Sequence, residues 1–185
     1  MTLRIAWGIT GCGDYLEHSI KTMKDVTKEH DLVVSVFLSK AGEMVVKWYK
    51  LFNELKGSFP RIYIEKSPNI PFLVGDLQLK KYDFLLIMPS TSNTVGKIAT
   101  GISDTLLSNA TAQAMKGKIP VYIFPADQKM GDVTTDLPGG KKLTLTMRDV
   151  DIEAVERLRK MSGITVIGHP DDIRDIIKRH IESKK

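Results

Sequence analysis

Five consecutive residues with hydrogen-bonding side chains are the part of this sequence best suited to chemistry. They are Ser90, Thr91, Ser92, Asn93 and Thr94, and they follow the apolar run YDFLLIMP. One or two side-chain oxygens usually suffice to cap the first turn of a helix. The larger number here predicts a polar ligand held against the segment. Asn93 is the most informative member, because its amide can both donate to and accept from a planar heterocycle with carbonyls and ring nitrogens.

Two other segments carry groups suited to an anion. GITGCGD, at positions 8–14, contains glycines that permit close backbone approach, and a helix after it would present unpaired N–H groups. Its spacing differs from the dinucleotide fingerprint, so packing explains these glycines equally well. In LSKAGE, at 38–43, the hydroxyl of Ser39 either caps a helix that begins near Ala41 or holds a phosphate.

Buried strands and amphipathic helices alternate along the chain and would position these segments. Strands are predicted at 3–9, 32–38, 84–89, 119–125 and, more weakly, 164–168. Helices are predicted at 14–29, 41–56, 93–116, 149–162 and 171–183, with a weak strand and a short helix inside 60–80. The alternation predicts an α/β protein with a parallel sheet covered by helices on both faces, in one domain spanning 1–185. Ligands of such sheets bind at the carboxyl ends of the strands. Residues 125–142 show no clear periodicity and are expected to form a long functional loop.

Composition excludes several classes of function. The net charge is +5, but lysines and arginines are interspersed with acids, which indicates a solvated surface and no nucleic-acid groove. No apolar run reaches the roughly 18 residues that span a bilayer, and no secretory signal is visible, so we expect a cytoplasmic protein without a membrane segment. Cys12 is the single cysteine, too few for a disulfide framework or an iron–sulfur cluster. Redox chemistry would therefore need a bound cofactor, and no metal site is predicted.

One long segment resembles a known family. PSTSNTVGKIATGISDTLLS is similar to the Pro-Ala-Ser-Ala-Asn-Thr motif and following helix of the homo-oligomeric flavin-containing Cys decarboxylase superfamily, which also includes flavin prenyltransferases. The resemblance extends to GITG and LSKAG and covers most of residues 1–125. Within the superfamily the chain looks most like the archaeal FMN flavoproteins, a group that includes archaeoflavoprotein and dihydromethanopterin reductase.

The resemblance implies a Rossmann-like (flavodoxin-like) domain that binds FMN noncovalently and forms trimers, or multiples of trimers, whose interfaces complete the flavin site. It implies FMN contacts at Gly8, Ile9, Thr10, Gly11, Ser39, Pro89, Ser90, Thr91, Ser92, Asn93 and Thr94. Among these, Ser39 would hold the phosphate and the residues from Pro89 to Thr94 would surround the flavin. Gly101 to Asp104 match the helix after the motif, where packing is the favoured explanation.

Departures from the family pattern bear on the activity. Gly75 stands where the decarboxylases carry a catalytic histidine, and FPADQKMGD replaces their Asn-Met-Asn motif. The Arg-Glu-Thr-Pro-like phosphate motif of the prenyltransferases is also missing, so no catalytic residue is assigned. We expect an FMN-dependent oxidoreductase or electron-transfer protein, supplied by a ferredoxin-like donor and serving an unknown acceptor, with a pterin as one candidate. The alternatives are a prenyltransferase-like or decarboxylase-like enzyme, and an FMN-binding module without turnover.

Overall fold

A six-stranded parallel sheet forms the centre of the computed structural model, which describes residues 2–184. The strands of the chain are β1 (Leu3–Ile9), β2 (Leu32–Leu38), β3 (Arg61–Ile64), β4 (Phe84–Ser90), β5 (Val121–Pro125), β6 (Asp132–Asp136), β7 (Lys142–Thr146) and β8 (Ile164–Val166). The helices are α1 (Leu16–Glu29), α2 (Lys40–Trp48), α3 (Phe52–Ser58), α4 (Leu73–Gln78), α5 (Ser92–Ala99), α6 (Leu106–Lys116), α7 (Asp149–Arg159) and α8 (Ile173–Glu182), and a 3-10 turn covers Pro170–Asp172. Within the described range no helix combines the length and apolar character needed to cross a bilayer.

The sheet has the strand order β3-β2-β1-β4-β5-β8, and every pairing in it is parallel. The strands are apolar on both faces because helices cover both. In β1, for example, Trp7 belongs to the core shared with α1, α3 and α8, whereas Ala6 belongs to the core shared with α4, α5, α6 and α7. The predicted fold class is therefore confirmed.

Two of the predicted long helices are each divided in two. The predicted helix 41–56 breaks between α2 and α3, where Lys50 has a φ of +60° that a helix cannot contain. The predicted helix 93–116 breaks between α5 and α6. There Gly101 has a φ of +79°, and Thr105 and Ser108 form a capping box that begins α6. Residues 101–104, which match the family's helix in sequence, accordingly lie in the connection between the two helices.

The predicted loop 125–142 contains regular structure. Strands β6 and β7 pair antiparallel as a hairpin separate from the main sheet, with Asp132 opposite Thr146. Gly139 and Gly140, at φ of +92° and +80°, form its turn. The sequences of the two strands, DVTTD and KLTLT, alternate in a way that is typical of strands, with Val133, Leu143 and Leu145 between polar residues. This signal is present in the sequence. It is weak, because most of the hairpin is solvent-exposed and contributes little to the hydrophobic core.

Candidate functional site

A cleft of about 430 Å³ opens at the carboxyl edge of the sheet, beside the neighbouring strands β1 and β4. The chain leaves β1 toward β2 on one side and leaves β4 toward β5 on the other, so the strand order reverses here. Crevices of this kind are the usual ligand sites of doubly wound sheets, and the volume is that of a small-molecule pocket. The lining residues are Thr10, Gly11, Ser39, Lys40, Ala41, Glu65, Ser67, Pro68, Thr91, Asn93, Thr94, Asp104, Thr105 and Leu107.

The structure brings most of the predicted site residues to one edge but does not turn all of them toward the cleft. Six line it: Thr10, Gly11, Ser39, Thr91, Asn93 and Thr94. Four are buried and do not line it: Gly8, Ile9, Pro89 and Ser90. Ser92 points elsewhere, toward Asp127.

Thr10 fastens the end of β1 to the end of β4. Its hydroxyl donates to the carbonyl of Pro89 at 3.0 Å and accepts from the backbone N–H of Thr91 at 2.8 Å. The backbone N–H of Thr10 also donates to the Pro89 carbonyl, at 3.2 Å. Thr10 is almost completely buried, so these bonds are shielded from water and set the relative position of the two loops.

At two positions a neighbouring side chain approaches the backbone so closely that only glycine fits. A Cβ on Gly11 would lie 2.6 Å from the Cβ of Ala41, so glycine allows the loop after β1 to rest on the start of α2. A Cβ on Gly8 would lie 2.6 Å from a methyl carbon of Leu107, a residue that itself lines the cleft. Packing therefore accounts for both positions, and the narrow approach at Gly11 also shapes the wall of the cleft.

Ser39 begins α2 as its N-cap. Its Oγ accepts from the backbone N–H of Gly42 at 2.9 Å, which is the capping alternative that the sequence left open. The same hydroxyl lies on the cleft surface, where its own proton is available to a ligand oxygen. Capping and ligand binding are thus compatible at this residue.

Glu65 is a feature of the cleft that sequence reasoning missed. Glu65 follows the edge strand β3, and the residue is 8% exposed. One oxygen accepts from the backbone N–H of Lys40 at 3.1 Å, and the other accepts from the backbone N–H of Leu106 at 2.7 Å. The carboxylate therefore joins the N-termini of α2 and α6, where its charge also complements both helix dipoles. The only signal in the sequence was an acid at the end of a weak strand.

The polar run after β4 divides into residues with different roles. Thr91 is the N-cap of α5, and its hydroxyl accepts from the N–H of Thr94 at 3.3 Å. Ser90 is fully buried, and its Oγ has no hydrogen-bond partner among the described residues. Asn93 is exposed in the cleft, and its amide makes no hydrogen bond with any other part of the described chain. The amide is therefore free to bind a ligand.

A recess of about 270 Å³ adjoins the cleft and shares Gly11 and Thr91 with it. Its walls include Cys12, Trp48 and residues of the β6–β7 hairpin, which places part of the predicted functional loop beside the site. Burial, together with the negative charges of Asp14 and Asp127, raises the pKa of Cys12 to about 12. Cys12 is therefore a neutral thiol near neutral pH and is unsuited to nucleophilic catalysis.

Imidazole bases are missing from the cleft. In the described part of the chain none of the four histidines lines it. Gly75, where the decarboxylases carry their histidine, lies buried in α4, and a Cβ there would collide with the ring of Phe72. The charged groups at the cleft are Lys40, Glu65 and Asp104, and the ammonium of Lys97 lowers the pKa of Asp104. The arrangement is suited to binding a polar, planar molecule, and its two carboxylates are already held by backbone N–H groups and by the ammonium of Lys97.

Comparison with known proteins gives a consistent result. The family model described as Flavoprotein matches residues 1–183. An uncharacterized protein of Methanocaldococcus jannaschii is 56% identical over 183 residues, which cover 99% of this chain and 98% of that protein. A dihydromethanopterin reductase (acceptor) of the same organism is 41% identical over 162 residues, or 82% of this chain and 66% of the reductase, so the chain spans slightly less than two thirds of that relative.

A solved structure extends the similarity to three dimensions. The DmrB protein of Burkholderia xenovorans, crystallised in complex with FMN and described as a cubic protein cage for redox transfer, superposes with a TM-score of 0.83. Its sequence is 31% identical to this chain, and the alignment covers 98% of this chain and 96% of DmrB.

Proposed function

Because the chain belongs to the Flavoprotein family, we propose that it binds FMN in the cleft beside β1 and β4 and transfers electrons through it. When bound, FMN supplies the capacity to accept a hydride or single electrons. The redox role of DmrB and the reductase activity of the archaeal relatives support this function. The single observation in this chain that carries it is the cleft itself, where the amide of Asn93 has no hydrogen-bond partner among residues 2–184 and lies at the point where the strand order reverses.

The residues of the cleft fit the two ends of FMN. A planar ring needs an apolar wall and neutral donors and acceptors, which Leu107, Asn93 and Thr94 provide. A phosphate needs hydroxyls and a cation near a helix N-terminus, which Ser39 and Lys40 provide at the start of α2. We assign the ring to the first group and the phosphate to the second.

Four residues of the predicted FMN-contact set are buried beneath the surface of the cleft. Gly8 and Ile9 belong to the end of β1, and Pro89 and Ser90 to the end of β4. Their backbone fixes the position of Thr10 and Thr91, which lie on the cleft surface. We propose that these four residues support FMN binding through the backbone.

The chemistry of the cleft favours electron transfer over decarboxylation. A general base typically contributes 10²–10⁴-fold to a rate, and the described part of the cleft offers neither an imidazole nor a thiolate. Its two carboxylates are engaged, Glu65 by the backbone N–H groups of Lys40 and Leu106 and Asp104 by the ammonium of Lys97. We propose a ferredoxin-like protein as the electron donor, since the net charge of +5 suits an acidic partner. The acceptor is a small molecule or protein that reaches the cleft, and a pterin is the candidate that the archaeal relatives suggest.

We also propose a homo-oligomer, a trimer or a multiple of trimers. Large apolar side chains are strongly exposed, among them Met44 at 66%, Phe72 at 67% and Leu79 at 66%. Burial of side chains of this size between subunits would contribute to the stability of an assembly. The cage formed by DmrB supports this assembly.

Anaerobic stopped-flow mixing of the purified, FMN-loaded protein with reduced ferredoxin tests the function. We expect the flavin absorbance to bleach on mixing. It should return when a dihydropterin, which takes up two electrons and two protons to become a tetrahydropterin, is added as the acceptor. A parallel assay for carbon dioxide release from a cysteine-terminated substrate should give no turnover. A protein that takes up no FMN, or that holds FMN which no low-potential donor reduces, would overturn the proposal.

A further inference from the structure

Three metal-ligating side chains meet on the surface, away from the cleft. His18 lies in α1, and His169 and Asp171 lie at the 3-10 turn after β8. The Nε2 of His18 is 3.1 Å from Oδ1 of Asp171, and the Nδ1 of His169 is 3.4 Å from Oδ2 of the same carboxylate. One ligating atom from each residue falls within 4.8 Å of the other two, and none of the three residues lines the FMN cleft.

The Nδ1 of His169 faces both the backbone N–H and the carboxylate of Asp171. The Nδ1 atom accepts the backbone N–H of Asp171 at 3.3 Å, so in this capping arrangement the nitrogen carries a lone pair. That lone pair lies 3.4 Å from Oδ2 of Asp171, which is also an acceptor. Two acceptors facing each other repel. A cation placed between them would take over the Nδ1 lone pair from the Asp171 N–H, with loss of that 3.3 Å hydrogen bond, and would convert the repulsion into coordination.

The surrounding residues hold the cluster in position. The buried hydroxyl of Thr22 donates to Oδ1 of Asp171 at 2.8 Å. The carboxylate of Asp172 accepts the backbone N–H groups of Gly168 and His169, each at 2.9 Å, and so fixes the backbone of one ligand. Outer contacts of this kind orient the ligands of metal sites.

We propose that His18, His169 and Asp171 bind a divalent transition-metal ion of the class of Zn²⁺, Ni²⁺ or Cu²⁺. Imidazole nitrogens select these ions over Mg²⁺ and Ca²⁺, which prefer oxygen ligands. The three side chains are 43 to 48% exposed, so water completes the coordination and ions enter directly from solvent. This function is separate from electron transfer through FMN.

The proposed ion would link distant parts of the chain. His18 and Asp171 are 153 positions apart in sequence, and the ion would tie α1 to the turn that precedes α8. Because the arrangement exists only in the folded chain, metal binding stabilises that state. Sequence reasoning found no such site, since no local spacing relates these residues.

Titration of the chelator-treated, FMN-loaded protein, purified without a histidine tag, tests the site. Isothermal calorimetry with Zn²⁺ should show one strong site per chain, and His169→Ala and Asp171→Asn should each weaken it roughly tenfold or more. His30→Ala is the matched control, because His30 ends α1 outside the cluster and should leave the affinity unchanged. An unaltered flavin spectrum verifies that each variant remains folded.

A spectroscopic measurement identifies the ligands independently. Electron paramagnetic resonance of the Cu²⁺-loaded protein, with the flavin oxidised and therefore diamagnetic, should show splitting from two nitrogens in the parent protein. His18→Ala should reduce the pattern to one nitrogen. Equal zinc affinity in the parent protein, His169→Ala and Asp171→Asn, or a copper signal that His18→Ala leaves unchanged, would overturn the proposal.

Discussion

The hydroxyl of Thr10 donates to the carbonyl oxygen of Pro89 at 3.0 Å and thereby joins the loop after β1 to the loop after β4. Residues of both loops line the cleft, and the same hydroxyl accepts the backbone N–H of Thr91. A single buried side chain thus fixes the relative position of the two loops on which the cleft lies. The stability of the fold and the geometry of the cleft therefore both depend on the Thr10 hydroxyl.

Thr10→Val should destabilise the protein, because it removes the hydroxyl and leaves the N–H of Thr91 without its partner. We expect a loss of about 1–3 kcal/mol in the free energy of unfolding, measured by urea denaturation of the apoprotein. Thr10→Ser keeps the hydroxyl and is the control. An equal loss in both variants would attribute the effect to the methyl group and contradict this role.

Asn93→Ala should weaken FMN binding without destabilising the fold. The amide has no partner among the described residues, and alanine is well tolerated in α5. We expect FMN affinity, measured by quenching of flavin fluorescence, to fall by roughly 1–3 kcal/mol. Asn53→Ala, an exposed change in α3, is the matched control. Unchanged affinity in Asn93→Ala would mean that the amide does not contact the flavin.

Glu65→Ala should lower stability more than most surface substitutions do. Its carboxylate accepts backbone N–H groups from Lys40 and Leu106, and hydrogen bonds to charged groups contribute roughly 1.5–3 kcal/mol each. Glu65→Gln retains one acceptor oxygen and should fall between Glu65→Ala and the parent protein in urea denaturation. If Glu65→Gln matched the parent protein, one of the two contacts would be dispensable.

Cys12 should resist alkylation in the folded protein. Burial, together with Asp14 and Asp127, raises its pKa to about 12, so the reactive thiolate is scarce at every pH well below that value. Iodoacetamide should modify the folded chain slowly at pH 8, and the rate should rise as the pH approaches 12. The urea-unfolded chain provides the comparison and should react rapidly at pH 8. Rapid modification of the folded chain would contradict the raised pKa.

The raised pKa also has a consequence for stability. A thiol whose pKa is higher in the folded state than in the unfolded state stabilises the fold below the ordinary value of 9.0, and this contribution is lost as the pH rises from 9.0 toward 12. The same pH window should therefore show falling stability in the parent protein. Cys12→Ala removes this component and should show a shallower decline.

The assembly should have a mass that is a multiple of three times 20.7 kDa. Light scattering coupled to size exclusion measures this directly. We expect the exposed apolar side chains, such as Phe72 and Leu79, to be covered in the assembly. A monomer that nevertheless retains FMN through chromatography would contradict both the assembly and the proposal that subunit interfaces complete the site.

The sequence by itself determined the fold class, and it predicted the edge of the sheet at which the candidate cleft lies. Continuous apolar runs such as LVVSVFL and FLLIMP predict strands buried on both faces, and the helical periodicity between them predicts the covering layers. The polar run 90–94 after β4 marked the carboxyl edge where the cleft lies. These features are local, because each depends on residues within a few positions of one another.

Helix boundaries were the least accurate local predictions. Apolar periodicity continues across residues 100–105, so the sequence suggested one helix where the structure has α5 and α6. Gly101 at a positive φ and the capping box begun by Thr105 end one helix and start the next. Both signals were present, but periodicity alone does not detect a change in chain direction.

Only the tertiary structure decided which side chains face the cleft and which meet across the fold. Ser92 and Asn93 are adjacent in sequence, yet one bonds Asp127 and the other faces the cleft. Glu65 reaches two helix N-termini because β3 lies at the edge of the sheet. Contacts of this kind depend on the order of the strands and on the path of each connection. That order is set by the packing of the whole chain, and a local pattern of residues does not encode it.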